Sequence, residues 1–156
     1  HNIKKPPDLP SNNYAMCVQN ASWITKQWPI ESWKELLRIL EKRDINLLFP
    51  SGNQEEFDRA NEICSVSEKA LALEVLPLNE IAFLIDNSEF TLCSDTGLAH
   101  LSAVVGTPSL TLYGPTDTRL IGTYGKDQNH FVSPDSNISK ISVEDVLTKL
   151  ENLNFI

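Results

Sequence analysis

An acid, a hydroxyl, a glycine and an imidazole stand together in Asp95-Thr96-Gly97-Leu98-Ala99-His100, directly after an apolar run that ends in Ser94. Where a strand gives way to a helix, the first backbone N–H groups lack intrahelical partners, and the helix end carries about half a positive charge. Such a mouth suits phosphate or sugar oxygens. The same residues also have ordinary structural uses. Asp95 or Thr96 can serve as an N-cap, and a lone histidine on an apolar helix often packs as a hydrogen-bonded core group. It is the convergence of all four at one helix mouth that favours a binding site. Cys17, Cys64 and Cys93 offer a different chemistry, but they are odd in number and lack a Cys-x-x-Cys spacing. Cys17 and Cys93 lie inside apolar runs, so buried free thiols are expected rather than disulfides or metal ligands.

The elements that position these residues alternate along the chain. Strands are expected over residues 14–19, 45–49, 70–75, 90–93 and 109–113. Helices are expected from Pro29 through Leu40, then over 55–64, 78–85, 98–105 and 143–153. Trp33, Leu36, Leu37 and Leu40 give the first helix an apolar stripe at helical spacing, and Pro29 suits its first turn. The 98–105 helix is almost wholly apolar apart from His100 and Ser102, which implies burial on most sides. Gly106 is placed to cap it, and Pro108 prevents its continuation. Ser142, followed by Glu144 and Asp145, starts the last helix. Strand–helix alternation with short links predicts an α/β fold, a parallel sheet covered on both faces. Ligands of such folds bind beyond the carboxyl ends of the strands.

The chain has 156 residues and a formal charge of −8, enough length for one domain with a substantial core. Its basic residues are scattered, which disfavours nucleic acid as a partner. No apolar run approaches the roughly 20 residues that cross a bilayer, and nothing resembles a signal peptide. A soluble, cytosolic chain is expected. Residues 1–13, rich in Pro, Asn and Lys, read as a linker or leading edge, leaving 14–156 as the domain. A signalling receiver domain shares the doubly wound plan, but it needs an acidic pair after the first strand and an Asp after the third. Here those places hold Gln19-Asn20 and Leu76-Pro77.

The segment Asp95–His100, followed by Gly-Thr-Pro and Leu-Tyr-Gly-Pro-Thr-Asp, resembles the signature of the ADP-heptose:lipopolysaccharide heptosyltransferases. The run 120–126, Leu-Ile-Gly-Thr-Tyr-Gly-Lys, is most similar to the heptosyltransferase I branch, which acts on the Kdo residues of Kdo–lipid A. Lys26-Gln27-Trp28-Pro29, the helix with Trp33, and Pro50-Ser51-Gly52 with Glu55-Glu56 extend the likeness over roughly residues 14–128. The resemblance implies a GT-B glycosyltransferase, of which this chain corresponds to the C-terminal, Rossmann-like, donor-binding half. It implies heptose transfer from ADP-heptose to the Kdo region of lipid A in inner-core synthesis, in the cytoplasm at the inner-membrane face. Peripheral membrane contact would belong to the full-length enzyme.

The resemblance also assigns roles. Lys26 would meet the charge that grows on the ADP leaving group, and Ser22 would contact a phosphate, with Ala21 before it where some relatives carry a second hydroxyl. Glu56 would grip the ribose hydroxyls, with Glu55 beside it as a competitor and Gly52 in the preceding turn. Leu76 would line the adenine. Asp95 and His100 would bind heptose hydroxyls, and Thr96, Gly97 and Leu98 would supply the loop beside the diphosphate. Trp23, Trp28 and Trp33 are expected to pack rather than stack on a ligand. No Asp-x-Asp occurs, in line with the family's metal-independent chemistry, so no metal and no cofactor are expected. The general base and most of the acceptor site belong to the family's N-terminal domain. The chain alone should bind donor weakly and catalyse nothing. Other GT-B halves that use UDP-sugars, and a non-catalytic nucleotide-binding module, are the alternatives.

Overall fold

The computed structural model describes residues 9, 13–21, 23–114, 125–133 and 135–156. Six strands form one sheet: β1 (Tyr14–Val18), β2 (Asn46–Phe49), β3 (Ala70–Ala72), β4 (Thr91–Ser94), β5 (Ser109–Tyr113) and β6 (Gln128–Val132). The described helices are α1 (Ile30–Leu40), α2 (Gln54–Cys64), α3 (Leu78–Asp86), α4 (Gly97–Val105) and α5 (Val143–Asn152). The strand order is β3-β2-β1-β4-β5-β6, with every neighbouring pair parallel. This is the doubly wound, Rossmann-like order, which reverses direction between β1 and β4.

Both faces of the sheet are covered, so the strands read as apolar runs. Ala15 and Cys17 of β1, with Leu47 and Phe49 of β2, pack against α1, α2 and α5. Met16 and Leu48, which alternate with them, pack on the other face against Ile81, Leu84 and Ile85 of α3. Trp28 and Trp33 are fully buried in the first core, edge to face with ring centroids 5.2 Å apart. The Trp28 indole N–H donates to the Ile141 carbonyl at 2.9 Å and ties the loop before α1 to the segment before α5. The three cysteines are free and buried. Burial pushes the Cys64 and Cys93 thiols up to about 12 and raises Cys17 well above the usual thiol value, so they stay protonated and unreactive near neutral pH.

The helix ends follow the sequence closely. Thr96, rather than Asp95, caps α4, its hydroxyl accepting from Leu98 N–H at 3.1 Å. Gly106, at φ 80°, closes the same helix in the left-handed region that glycine adopts without cost. Ser142 caps α5 by accepting from Asp145 N–H at 3.0 Å.

Several expectations are corrected. The strand β6 was not foreseen, because Gln-Asn-His-Phe-Val carries little apolar signal. It is an edge strand, held to β5 through backbone pairing from Ser109↔Gln128 to Tyr113↔Val132. The third strand stops at Ala72, short of Val75. Pro29 sits at the N-cap position, so α1 begins at Ile30. Trp23 does not pack but is 68% exposed. The helix α4 is not buried on most sides: only Ala99 and Ser102 are buried, while His100 and Val104 are exposed. Of the stretch 1–13, only Leu9 and Asn13 are described. The run 120–126 lies outside the described residues apart from Gly125 and Lys126.

Candidate functional site at the switch of strand order

A cavity of about 710 Å³ opens beyond the carboxyl ends of β1 and β2 and runs to the start of α4. Its size suits a nucleotide-sized ligand. Most of the lining is apolar. Val18 comes from β1, Leu76, Leu78 and Ile81 from the end of the β3–α3 loop and from α3, and Leu98, Leu101 and Val104 from α4. This accounts for the composition of α4. Leu98, Leu101 and Val104 wall the cavity, while Leu98, Ala99, Leu101 and Val105 pack on the core, two uses that periodicity alone does not distinguish.

The loop of residues 19–28 after β1 is held from several sides. Arg59 of α2 donates from Nη1 to the Gln19 carbonyl at 3.1 Å and from Nη2 to the Trp28 carbonyl at 2.9 Å. One guanidinium thereby joins both ends of the loop, a geometry only a planar fork provides. Burial pulls Arg59 below the usual guanidinium value, against an opposing push from Glu62. The Asn20 amide donates to the Pro50 carbonyl at 2.9 Å and links this loop to the one after β2. Within the loop, the Gln27 amide donates to the Ala21 carbonyl at 3.1 Å. Lys26 ends a short 3-10 turn, Ile24–Lys26. Its Nζ lies 3.1 Å from Asp95 Oδ2, with side-chain exposures of 24% and 8%. Lys26 follows β1 and Asp95 follows β4, so this ion pair spans the place where the strand order reverses.

On the other wall, Asn53 caps α2 by accepting from Glu56 N–H at 2.9 Å, and the Glu56 carboxylate accepts from Gly52 N–H. This is a capping box displaced by one residue. A Cβ on Gly52 would sit 3.0 Å from Glu56 Oε2, so glycine there admits the carboxylate. Glu56 lines the cavity and Glu55 does not, which separates the two neighbours that sequence left in competition.

The structure therefore brings Gly52, Glu56, Leu76, Thr96, Gly97, Leu98 and His100 around one cavity. Lys26 and Asp95 are joined beside Thr96. His100 is exposed on the cavity wall and is not the satisfied core histidine that was its alternative. Ser22 lies outside the described residues. Sequence reasoning missed Arg59, Asn20 and Ser51. Ser51 is 4% exposed, lines the cavity, and has a buried hydroxyl without a hydrogen-bond partner among the described residues. No sequence signal marked Arg59, one turn after Glu56 on α2. Among the described residues, no three His, Cys, Asp or Glu side chains gather into a metal-binding group.

The six parallel strands in this order, with the cavity at the switch point, define an α/β domain of the Rossmann-like class, one half of a GT-B fold. The pattern of glycosyltransferase family 9 (heptosyltransferase) matches residues 4–151, and the chain belongs to that family. The lipopolysaccharide heptosyltransferase 1 of Escherichia coli K12 is 36% identical over 151 residues, a match covering 94% of this chain and 46% of that protein. The solved E. coli heptosyltransferase WaaC with ADP superposes with a TM-score of 0.89 at 32% identity, covering 94% of this chain and 46% of that one. WaaC with ADP-2-deoxy-2-fluoro heptose gives 0.85 at 30% identity, covering 93% of this chain and 45% of that one. The chain thus spans less than half the length of these relatives. Among the described residues no helix is long and apolar enough to cross a membrane.

Proposed function

We propose that residues 14–156 form the donor-binding, C-terminal domain of a heptosyltransferase, with residues 1–13 as the linker to its other half. The donor is ADP-heptose, and the acceptor is the Kdo region of lipid A, held by that other half. The reaction serves the lipopolysaccharide inner core, in the cytoplasm at the inner-membrane face. One observation carries this reading: Gly52, Glu56, Leu76, Thr96, Gly97, Leu98 and His100, which the family resemblance assigns to the donor, line one cavity at the strand-order switch, beside the Lys26–Asp95 pair.

The parts have distinct tasks. Leu76 and the apolar wall receive the adenine, and Glu56 receives the ribose hydroxyls. Ser22, Thr96, Gly97 and Leu98 border the diphosphate, at the positive end of the α4 dipole. Negative charge grows on that diphosphate as the bond to heptose C1 breaks. A cation at ~4 Å is worth about 4 kcal/mol at an effective dielectric of ~20, against ~0.3–2 kcal/mol for a helix terminus. Lys26 is therefore the principal leaving-group stabiliser. Asp95 and His100 hold heptose hydroxyls. The base that deprotonates the acceptor comes from the other half, so the chain alone binds donor without turnover.

Calorimetric titration tests the assignment. The chain is expected to bind ADP and ADP-heptose more tightly than UDP or GDP, with affinities unchanged by EDTA. Equal or tighter binding of UDP would overturn the donor assignment.

Gly97 supplies a sharper test. A Cβ built there meets nothing within 4 Å, so the protein itself does not require glycine at this helix start. Alanine is the better helix former, by up to about 1 kcal/mol. Gly97→Ala is therefore expected to hold or raise the melting temperature while weakening ADP, because the added methyl occupies space meant for ligand. A loss of stability together with unchanged ADP affinity would remove Gly97 from the site.

A further inference from the structure

We infer that Asp95 discriminates by charge between the intact donor and the spent nucleoside diphosphate. The inference rests on the donor-binding reading above and assigns Asp95 a second task within it. The geometry is that of a compensated cation: Lys26 Nζ already lies 3.1 Å from a carboxylate that is only 8% exposed. A phosphate arriving beside Lys26 meets a pair, not a bare ammonium. Among the described residues that line the cavity, formal charge is sparse. Glu56 is the one cavity-lining residue with a formal charge among those described, and its carboxylate is already bonded to Gly52 N–H on the opposite wall. Thr96 is occupied as the cap of α4. The Lys26–Asp95 pair lies beside this lining and contributes to the local balance of charge.

That balance acts differently before and after transfer. In the sugar-linked donor the terminal phosphate is a diester with one negative charge. Once the bond to the sugar breaks, the same phosphate is a monoester, which carries about −1.5 to −2 near neutral pH. The added charge lies on the oxygen that carried the sugar, on the side where Asp95 met its hydroxyls. Asp95 thus accepts hydrogen bonds from the sugar in the donor complex and opposes the extra charge in the product complex. Without it, Lys26 would hold the more highly charged product more tightly than the donor, and release would slow.

The test compares ADP, ADP-heptose and ADP methylated on its β-phosphate, which copies the diester charge without the sugar. With the unaltered chain, methyl-capped ADP is expected to bind at least as tightly as ADP, because Asp95 offsets the attraction of Lys26 for the added charge. In Asp95→Asn, which keeps the size and one acceptor oxygen, ADP is expected to tighten about tenfold, while methyl-capped ADP moves by less than about twofold and ADP-heptose does not tighten. Asp95→Ser, which also removes the charge, is expected to shift the ratio in the same direction. The inference is overturned if the unaltered chain already prefers ADP to its methyl ester by tenfold. Asp95→Asn changing all three ligands by one common factor would also overturn it. Neither result would touch the donor assignment, which fails instead if none of the three binds more tightly than UDP.

Discussion

Arg59→Ala is expected to lower the stability of the fold by about 3–4 kcal/mol, more than any other substitution considered around the site. Arg59 makes two charge-assisted hydrogen bonds, to the Gln19 carbonyl at 3.1 Å and the Trp28 carbonyl at 2.9 Å. Each such bond contributes about 1.5–3 kcal/mol, and the partial exposure of the side chain trims the sum. Alanine leaves both carbonyls without their donor next to the core, where Gln19 and Trp28 are each fully buried. For a domain of this size the midpoint of thermal unfolding should fall by roughly 10 °C. Arg59→Lys is expected to recover at most half of the loss, because an ammonium cannot reach both carbonyls with the geometry of the fork. The substitution also frees the loop that carries Lys26, so ADP affinity should fall at temperatures where the fold is intact. A melting temperature within about 2 °C of the original would mean that the Trp28–Ile141 bond and the buried tryptophans hold the loop without Arg59.

The helices and the parallel sheet were legible because burial on both faces writes itself into continuous apolar runs. Trp33, Leu36, Leu37 and Leu40 turned out to be the buried stripe of α1, and Gly106 and Ser142 cap the helices they were read to cap. The misreadings have common physical causes. An edge strand such as β6 is stabilised by backbone pairing with one neighbour, and its half-exposed Gln128, Asn129 and His130 carry no period. The apolarity of α4 was legible but its meaning was not, since Leu98, Leu101 and Val104 line a cavity and an apolar residue looks alike on either kind of wall. Arg59 was silent because a helix arginine reads as a solvated one until the fold bends two carbonyls around it. The convergence of acid, hydroxyl, glycine and imidazole at residues 95–100 was visible in the sequence. The pairing of Asp95 with Lys26 was not: Lys26 lies far away along the chain, and the two meet because β1 and β4 are neighbours in the sheet.

That meeting shapes the result expected for Lys26→Ala. If Lys26 faces the diphosphate, the substitution should weaken ADP by about 1.5–3 kcal/mol, the worth of a hydrogen bond to a charged group. Adenosine, which lacks phosphates, should be nearly indifferent. The effect on stability should be smaller. An ion pair with a partly exposed member contributes about 0–1 kcal/mol, although here the loss removes the Lys26 contact of a buried carboxylate. Lys26→Met separates the two contributions, because it keeps the aliphatic stem and removes only the charge. It should reproduce the ADP loss while restoring whatever packing the stem supplied. Paired melting and binding curves decide the matter. Equal losses for ADP and adenosine, tracking the loss in melting temperature, would make Lys26 a support of the 19–28 loop through Asp95. A phosphate-dependent loss in both Lys26→Ala and Lys26→Met, with stability nearly held in the second, would make it the cation that receives the leaving diphosphate.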